Sequence, residues 1–360
     1  MTYLCGWDSH NAPSILLVRP GREPVLVVPH VFLARLAKET MWLDARFCLP
    51  GTLGTAVAGL LSEGTGRNGG SGSYAVLGRG EAPIAIWEQL TARLANARFT
   101  DFAAAIDPLR LIKTDLQVAM HQRAADLCDE LFALLGPAVR AGKPTHRIQA
   151  DLEHHARGAG AEFFQSWLTV MPIADYCRTY REECLRVPQP GDQVLLGLYV
   201  MLEGHWGHAL RSGVVGMPSQ AQRDVYAVAC EMFEQGLAAL APGRDLREVE
   251  AAAQAAFEHR YPDATKRAEI FRFRTGHALG LSYEDPIATA AFPQPYGDDF
   301  GAQASGADVP ALPAQPGILL ELHPNLFVPG VGGAALGDMV LVTQRGYRLL
   351  TSFARELLVF

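Results

Sequence analysis

Apolar residues recur at three- and four-residue spacing through LRLIKTDLQVAMHQRAADLCDELFALLGPAVRAG, which predicts one long amphipathic helix ended by Gly142. A second helix opens at Pro144-Thr145 and runs through THRIQADLEHHARGAG; two apolar runs, FFQSWLTVM and QVLLGLYVML, then read as strands. The same order returns downstream. PSQAQRDVYAVACEMFEQGLAALAPG and DLREVEAAAQAAFEHR are helical, and Asp245 and Glu248 have the spacing of a capping box. Strands follow at GHALGLSY, GILLELHPNLF, GDMVLVT and RLLTSF, so residues 109–360 read as a duplicated half-module of helix pair and strands. Ahead of it, SILLVRP, PVLVVPH and YAVLGRG alternate as short strands with helices at VFLARLAKE and PIAIWEQLTARL. Residues 1–108 are therefore a small α/β unit, in which the Gly/Ser-rich stretch 64–73 is a solvated loop. The fold class is α+β.

Composition narrows the function classes. At 360 residues the chain exceeds one ordinary core and predicts two domains. A net charge of -7 excludes a nucleic-acid electrostatic footprint, and no apolar run is long enough to span a membrane. MTYLCGWDSHNAPS has no basic region followed by an apolar core, so no signal peptide is expected. The 6 cysteines are scattered without a CxxC, which points to reduced thiols in a cytoplasm.

Against this apolar background, polar residues intrude in three places. His205 and His208 interrupt the strand GLYVMLEGHWGHALR. On a regular strand an odd separation sends them to opposite faces, although Trp206 and Gly207 could bulge the strand and both arrangements stay open. His277 lies between Gly276 and Gly280, where a ligand can approach the backbone, with Glu284 and Asp285 just beyond. In GILLELHPNLF the alternation puts Leu319, Glu321 and His323 on one face, and Ile318, Leu320 and Leu322 on the other. A carboxylate and an imidazole side by side on a buried strand are either a bracing ion pair or part of a functional site, because unpaired buried charge is costly.

These stretches resemble the creatinase, aminopeptidase P and methionine aminopeptidase superfamily. LRLIKTDLQVAMHQRAADL, GDQVLLGLYVMLEGHWGHALRSGVVG, GHALGLSYEDP and ELHPNLFVPGVGGAALGDMVLVTQRGYRLLT keep its order and spacing across the C-terminal part. YLCGW resembles the start of the N-terminal domain in the creatinase and prolidase branch, here shortened. The resemblance implies a pita-bread catalytic domain, a homodimer, and a small-molecule substrate whose access is rimmed by the N-terminal domain. Trp7, His10 and Asn11 are then candidate lid and substrate-binding residues.

Carried over position by position, the five metal ligands of the peptidases fall on Gly197, His208, His277, His323 and Gly337, and a substrate-contacting histidine falls on Glu284. The histidine that serves creatinase as base has no counterpart in MPIADYCRTYREECLRVPQPGD. The three positions that keep a donor, His208, His277 and His323, belong to ligands of one metal in the relatives. The leading expectation is a non-peptidase enzyme with one divalent ion, Fe2+ or Zn2+, on those three histidines, acting hydrolytically or oxidatively on a small amino-acid-like or amide-like substrate. Glu321, Glu284 and His205 are the candidate catalytic or supporting residues, and Tyr199, Trp206 and Tyr283 the candidate pocket walls. A metal-free creatinase-like C–N hydrolase and a non-catalytic binding module are the alternatives.

Overall fold

A computed structural model describes residues 2–7, 12–63, 72–172, 185–284, 286–293 and 310–360. The chain splits into two compact units, Met1–Asp107 and Pro108–Phe360.

In the first unit, strands β1 (Ile15–Leu17), β2 (Val25–Val28) and β3 (Asp44–Phe47) form one sheet with β2 in the middle. All four residues of β2 are buried, as a central strand covered on both faces requires. Helix α1 (Thr2–Cys5) precedes the sheet, and α2 (Val31–Thr40) and α3 (Leu53–Ser62) follow its strands. A parallel pair, β4 (Ser73–Val76) and β5 (Arg98–Asp101), is connected through α4 (Ile84–Arg93). Residues 64–71 of the expected Gly/Ser loop, and His10 and Asn11, lie outside the described residues.

Helix α5 (Ala103–Leu111) leads into α6 (Asp115–Arg140), so the single long helix expected from residue 109 is in fact two. The break has a local cause. Thr114 is an N-cap: its hydroxyl accepts from the Gln117 backbone N–H at 3.3 Å while the Gln117 side chain accepts from the Thr114 N–H at 3.0 Å. Helix α7 (Thr145–Gly158) follows, and the meander β6 (Phe163–Met171), β7 (Gln193–Leu202) and β8 (His205–Val214) lies against the pair. Glu203 and Gly204, with φ of 48° and 76°, make the two-residue turn that fixes the β7–β8 register. Gly207 marks the closest approach of β8 to α6, since a Cβ there would lie 2.7 Å from the Ala124 carbonyl oxygen.

The second half repeats the scheme. Helices α8 (Gln220–Ala239) and α9 (Arg247–Arg260) pair, and the short α10 (Ala264–Glu269) and α11 (Pro286–Thr289) flank β9 (Gly276–Ala278). The Asp245 capping box is half formed: Glu248 accepts from the Asp245 N–H, while the Asp245 carboxylate takes the Arg247 N–H instead. β10 (Leu319–Leu322) and β11 (Asn325–Val328) are separate strands, because Pro324 cannot continue the ladder. β12 (Gly332–Ala335) pairs with β11, and β13 (Asp338–Thr343) and β14 (Gly346–Leu349) complete a sheet of order β14-β13-β10-β9. The first sheet has the order β15-β8-β7-β6, with β15 (Leu358–Val359) parallel to β8. Leu210 of β8 and Gly337, just before β13, bridge the two sheets through reciprocal backbone hydrogen bonds of 3.0 and 3.2 Å. No helix among the described residues is long and apolar enough to cross a membrane.

Candidate metal centre

The β7–β8 register runs without a bulge from Leu202 opposite His205 to Gln193 opposite Val214. The pleat therefore sends His205 and His208 to opposite faces. His208 faces the second sheet and stacks on Tyr199, its cross-strand partner, at 4.3 Å between ring centres. His205 faces α6, where its ring meets His121 edge-on and its Nδ1 donates to the Glu203 carbonyl at 2.7 Å. The expectation of a catalytic His205 is corrected on this ground: the pleat places it on the far face of β8 from His208.

On the second sheet, His277 of β9 lies directly opposite Glu321 of β10, so both project from the same face. His323, two residues on, shares it. Leu320 and Leu322 point the other way into the apolar core. Once the sheets meet, Glu321 Oε2 lies 3.7 Å from His208 Nε2, 3.7 Å from His277 Nε2 and 3.2 Å from His323 Nε2. All four side chains are buried.

The tautomers of two imidazoles follow from the backbone. His208 Nδ1 meets the Leu198 carbonyl at 2.7 Å and His277 Nδ1 the Ala278 carbonyl at 3.1 Å. A carbonyl only accepts, so each Nδ1 carries the hydrogen and each Nε2 keeps its lone pair toward the centre. Tyr283 then donates its hydroxyl to His277 Nε2 at 3.1 Å. Neither oxygen of Glu321, nor Nδ1 of His323, has a hydrogen-bond partner among the described residues.

Burial sets the charge state. It lowers His277 to about 4, and holds His208 and His323 well below the usual imidazole range, with the neighbouring rings adding to the effect. Burial also raises Glu321 well above the carboxylate range; Asp338 reinforces this and Arg211 opposes it. The short His–Glu distances are therefore not resident ion pairs, because a desolvated pair with no further hydrogen bonds does not stay charged. Neutral imidazoles around a carboxyl group without a hydrogen-bond partner among the described residues are a donor set that fits a divalent cation. His208, His277 and Glu321 each offer a ligand atom within 4.8 Å of the other two; His323 adjoins this triad through Glu321. The Glu321 carboxylate is central to the cluster, and His323 stands beside it.

Around the centre, Tyr283 lies 5.1 Å from Tyr199 and 5.6 Å from Trp206, ring to ring. Glu284 holds Arg274 in a 3.0 Å ion pair that is partly exposed. Trp7 does not behave as a lid residue: it is 4% exposed in the first unit's core, with its indole N–H donating to Ser14 Oγ. Its apolar body is satisfied by that packing.

Three residues escaped sequence reasoning. Arg211, fully buried, donates to Asp338 at 2.7 Å and to the carbonyls of Gly337, Leu210, Phe353 and Ala354. Its signal was a lone arginine three residues beyond His208 in an apolar strand. His121, buried on α6, donates from Nδ1 to the Trp206 carbonyl at 2.8 Å; a histidine on an amphipathic helix carries no signal of that contact. Leu210 carries none either, since its importance lies in the space it fills.

Residues 119–344 match metallopeptidase family M24. A Xaa-Pro dipeptidase of Lactobacillus helveticus is 23% identical over 365 residues, covering 99% of this chain and 91% of the relative. The uncharacterized peptidase YqhT of Bacillus subtilis (strain 168) is 22% identical over 270 residues, 75% of this chain and 70% of that protein. The crystal structure of an X-Pro aminopeptidase from Thermotoga maritima MSB8 superposes with a TM-score of 0.78 at 16% identity, over 100% of this chain and 93% of the other. The prolidase from Pyrococcus horikoshii OT3 gives 0.78 at 20% identity, over 99% and 92%. The match to the family spans well over half of the sequence and the mixed α/β fold is that of these peptidases: the chain belongs to metallopeptidase family M24.

Proposed function

We propose that this chain is a metal-dependent enzyme that works with one divalent ion, Zn2+ or Fe2+, and cleaves a C–N bond in a small amino-acid-like or amide-like substrate. The observation that carries the reading is the convergence of three neutral imidazoles on a buried carboxyl group that has no hydrogen-bond partner among the described residues. Nitrogen donors with one carboxylate suit a borderline ion of this kind. Bound there, a divalent ion supplies polarisation of a scissile carbonyl and a water acidic enough to attack at neutral pH.

The protein's own groups do the rest. The Leu198 and Ala278 carbonyls fix the orientation of His208 and His277, so neither ring must reorganise on binding. Tyr283, already a donor into the centre, can turn its O–H to a substrate carbonyl oxygen. Glu284, held by Arg274 with its carboxylate 38% exposed, would take a proton or grip a substrate ammonium. Tyr199 and Trp206 wall the centre with aromatic surface that keeps water out.

A dipeptidase is the second reading, favoured by the relative of that printed activity along nearly the whole chain. Elemental analysis of protein purified without chelator, beside the His208→Ala variant, tests the first. The expected result is about one equivalent of Zn or Fe in the wild type and none in the variant. Two equivalents, with turnover of Xaa-Pro dipeptides, would establish the second reading, and well-folded active protein without metal would end both.

A further inference from the structure

We propose that Glu321 is the carboxylate ligand of this centre, supplied from β10, and that Gly337 is the residue that makes room for it. The inference rests on the single-metal reading above and specifies how this chain builds it.

The first ground is position. Two donors of one tetrahedral ion, with bonds of about 2.1 Å, lie about 3.4 Å apart. Glu321 Oε2 lies 3.7, 3.7 and 3.2 Å from the Nε2 atoms of His208, His277 and His323. The carboxylate stands among the imidazoles at the separation that shared coordination needs.

The second ground is the lack of any structural task for this carboxyl group. Glu321 is fully buried, yet neither oxygen has a hydrogen-bond partner among the described residues. The nearby guanidinium of Arg211 is committed to Asp338 and to four backbone carbonyls. A buried carboxyl group without hydrogen bonds costs stability, and a cation at the centre would repay it.

The third ground is the space at Gly337. A Cβ there would lie 2.2 Å from Glu321 Oε1, a distance no packing tolerates, and 2.8 Å from Leu210 Cδ1. The backbone of Gly337 does not have the positive φ that would demand glycine, so the missing side chain serves space alone. A carboxylate carried at position 337 and the present carboxylate of Glu321 exclude one another. On the far side, a Cβ at Gly197 would meet Leu210 Cγ, Trp167 Cβ and Tyr199 Cε2 at 3.6 to 3.8 Å. That region is packed with carbon, which leaves donors for one ion and none for a second among the described residues.

The test is zinc affinity by chelator competition on the full chain, with circular dichroism to verify folding and the Co2+ absorption spectrum to report the ligand field. Wild-type protein is expected to bind one Zn2+. Glu321→Gln, nearly isosteric, should weaken binding at least tenfold and shift the Co2+ bands. Gly337→Ala should weaken it in the same direction by displacing the carboxylate. The double variant Glu321→Ala, Gly337→Glu, which returns a carboxylate from the neighbouring strand, should bind Zn2+ more tightly than Glu321→Ala alone. Wild-type affinity and an unchanged Co2+ spectrum in folded Glu321→Gln would overturn the assignment while leaving the single-metal reading intact. A folded wild type that binds neither Zn2+ nor Fe2+ would instead overturn that reading, and this inference with it.

Discussion

His205 and His208 show how little a pairwise motif means without its secondary structure. Three residues apart, the pair would converge on a helix; on β8 the pleat separates them, and the unbroken register leaves no bulge to reunite them. His208 gains a backbone carbonyl at Nδ1 and a lone pair aimed at Glu321, while His205 gains a ring contact with His121. The consequence is measurable on the two variants side by side. His208→Ala should abolish metal binding, because it removes a donor from the triad, whereas His205→Ala should keep the wild-type metal content. Equal metal loss in both, by elemental analysis of folded protein, would contradict the assignment of faces.

At the scale of elements, what was legible in the sequence were the periodic segments and what was not were the junctions. The alternation in GILLELHPNLF placed Glu321 and His323 on one face and the leucines in the core, and the strand obeys it as far as Leu322. The register that sets Glu321 opposite His277 depends on a long-range pairing that no local pattern encodes. Similarly, the helical period ran on through Thr114 because capping is decided by two side chains rather than by periodicity. The same limit hid His121. Helix α6 buries it against β8, where burial lowers it to about 3 and the nearby His205 and Lys113 push the same way, against the Trp206 carbonyl. Between that value and the unfolded value near 6.5, the unfolded chain binds a proton that the native one refuses. His121 therefore contributes stability that is present above about pH 6.5 and lost as pH falls toward 3. Replacing it with Gln, which can still donate to the Trp206 carbonyl, should flatten the fall in unfolding free energy between pH 6.5 and 4. The change in slope is at most one proton, about 1.4 kcal/mol per pH unit. Urea titrations at a series of pH values give that slope directly, and an unchanged slope would show that His121 titrates normally.

In the second unit as a whole, the two four-stranded sheets are bridged at Leu210 and Gly337, and the candidate centre adjoins that bridge. Arg211 of β8 reaches Asp338 of β13 and the carbonyl of Gly337, so the first sheet holds the strand end that leaves room for Glu321. His208 comes from the same strand as Arg211, whereas His277 and Glu321 come from the second sheet. A divalent ion shared by these donors would clasp the sheets together, and binding to the native state alone adds RT ln(1 + [L]/Kd) to stability. At a thousandfold excess over Kd this amounts to about 4 kcal/mol. Chelator should accordingly lower the melting temperature of the wild type, and added Zn2+ should restore it. His277→Ala, folded but without the triad, should melt at one temperature with or without chelator. Arg211→Met separates the two contributions: among the described residues it leaves Asp338 buried with only Arg355 as a charged partner at 3.4 Å, so it should cost about 3–5 kcal/mol even in chelator. If chelator left the wild-type melting curve unmoved in metal-replete protein, the ion would not be shared between the sheets, and the joint would rest on Arg211 and the Leu210–Gly337 backbone hydrogen bonds.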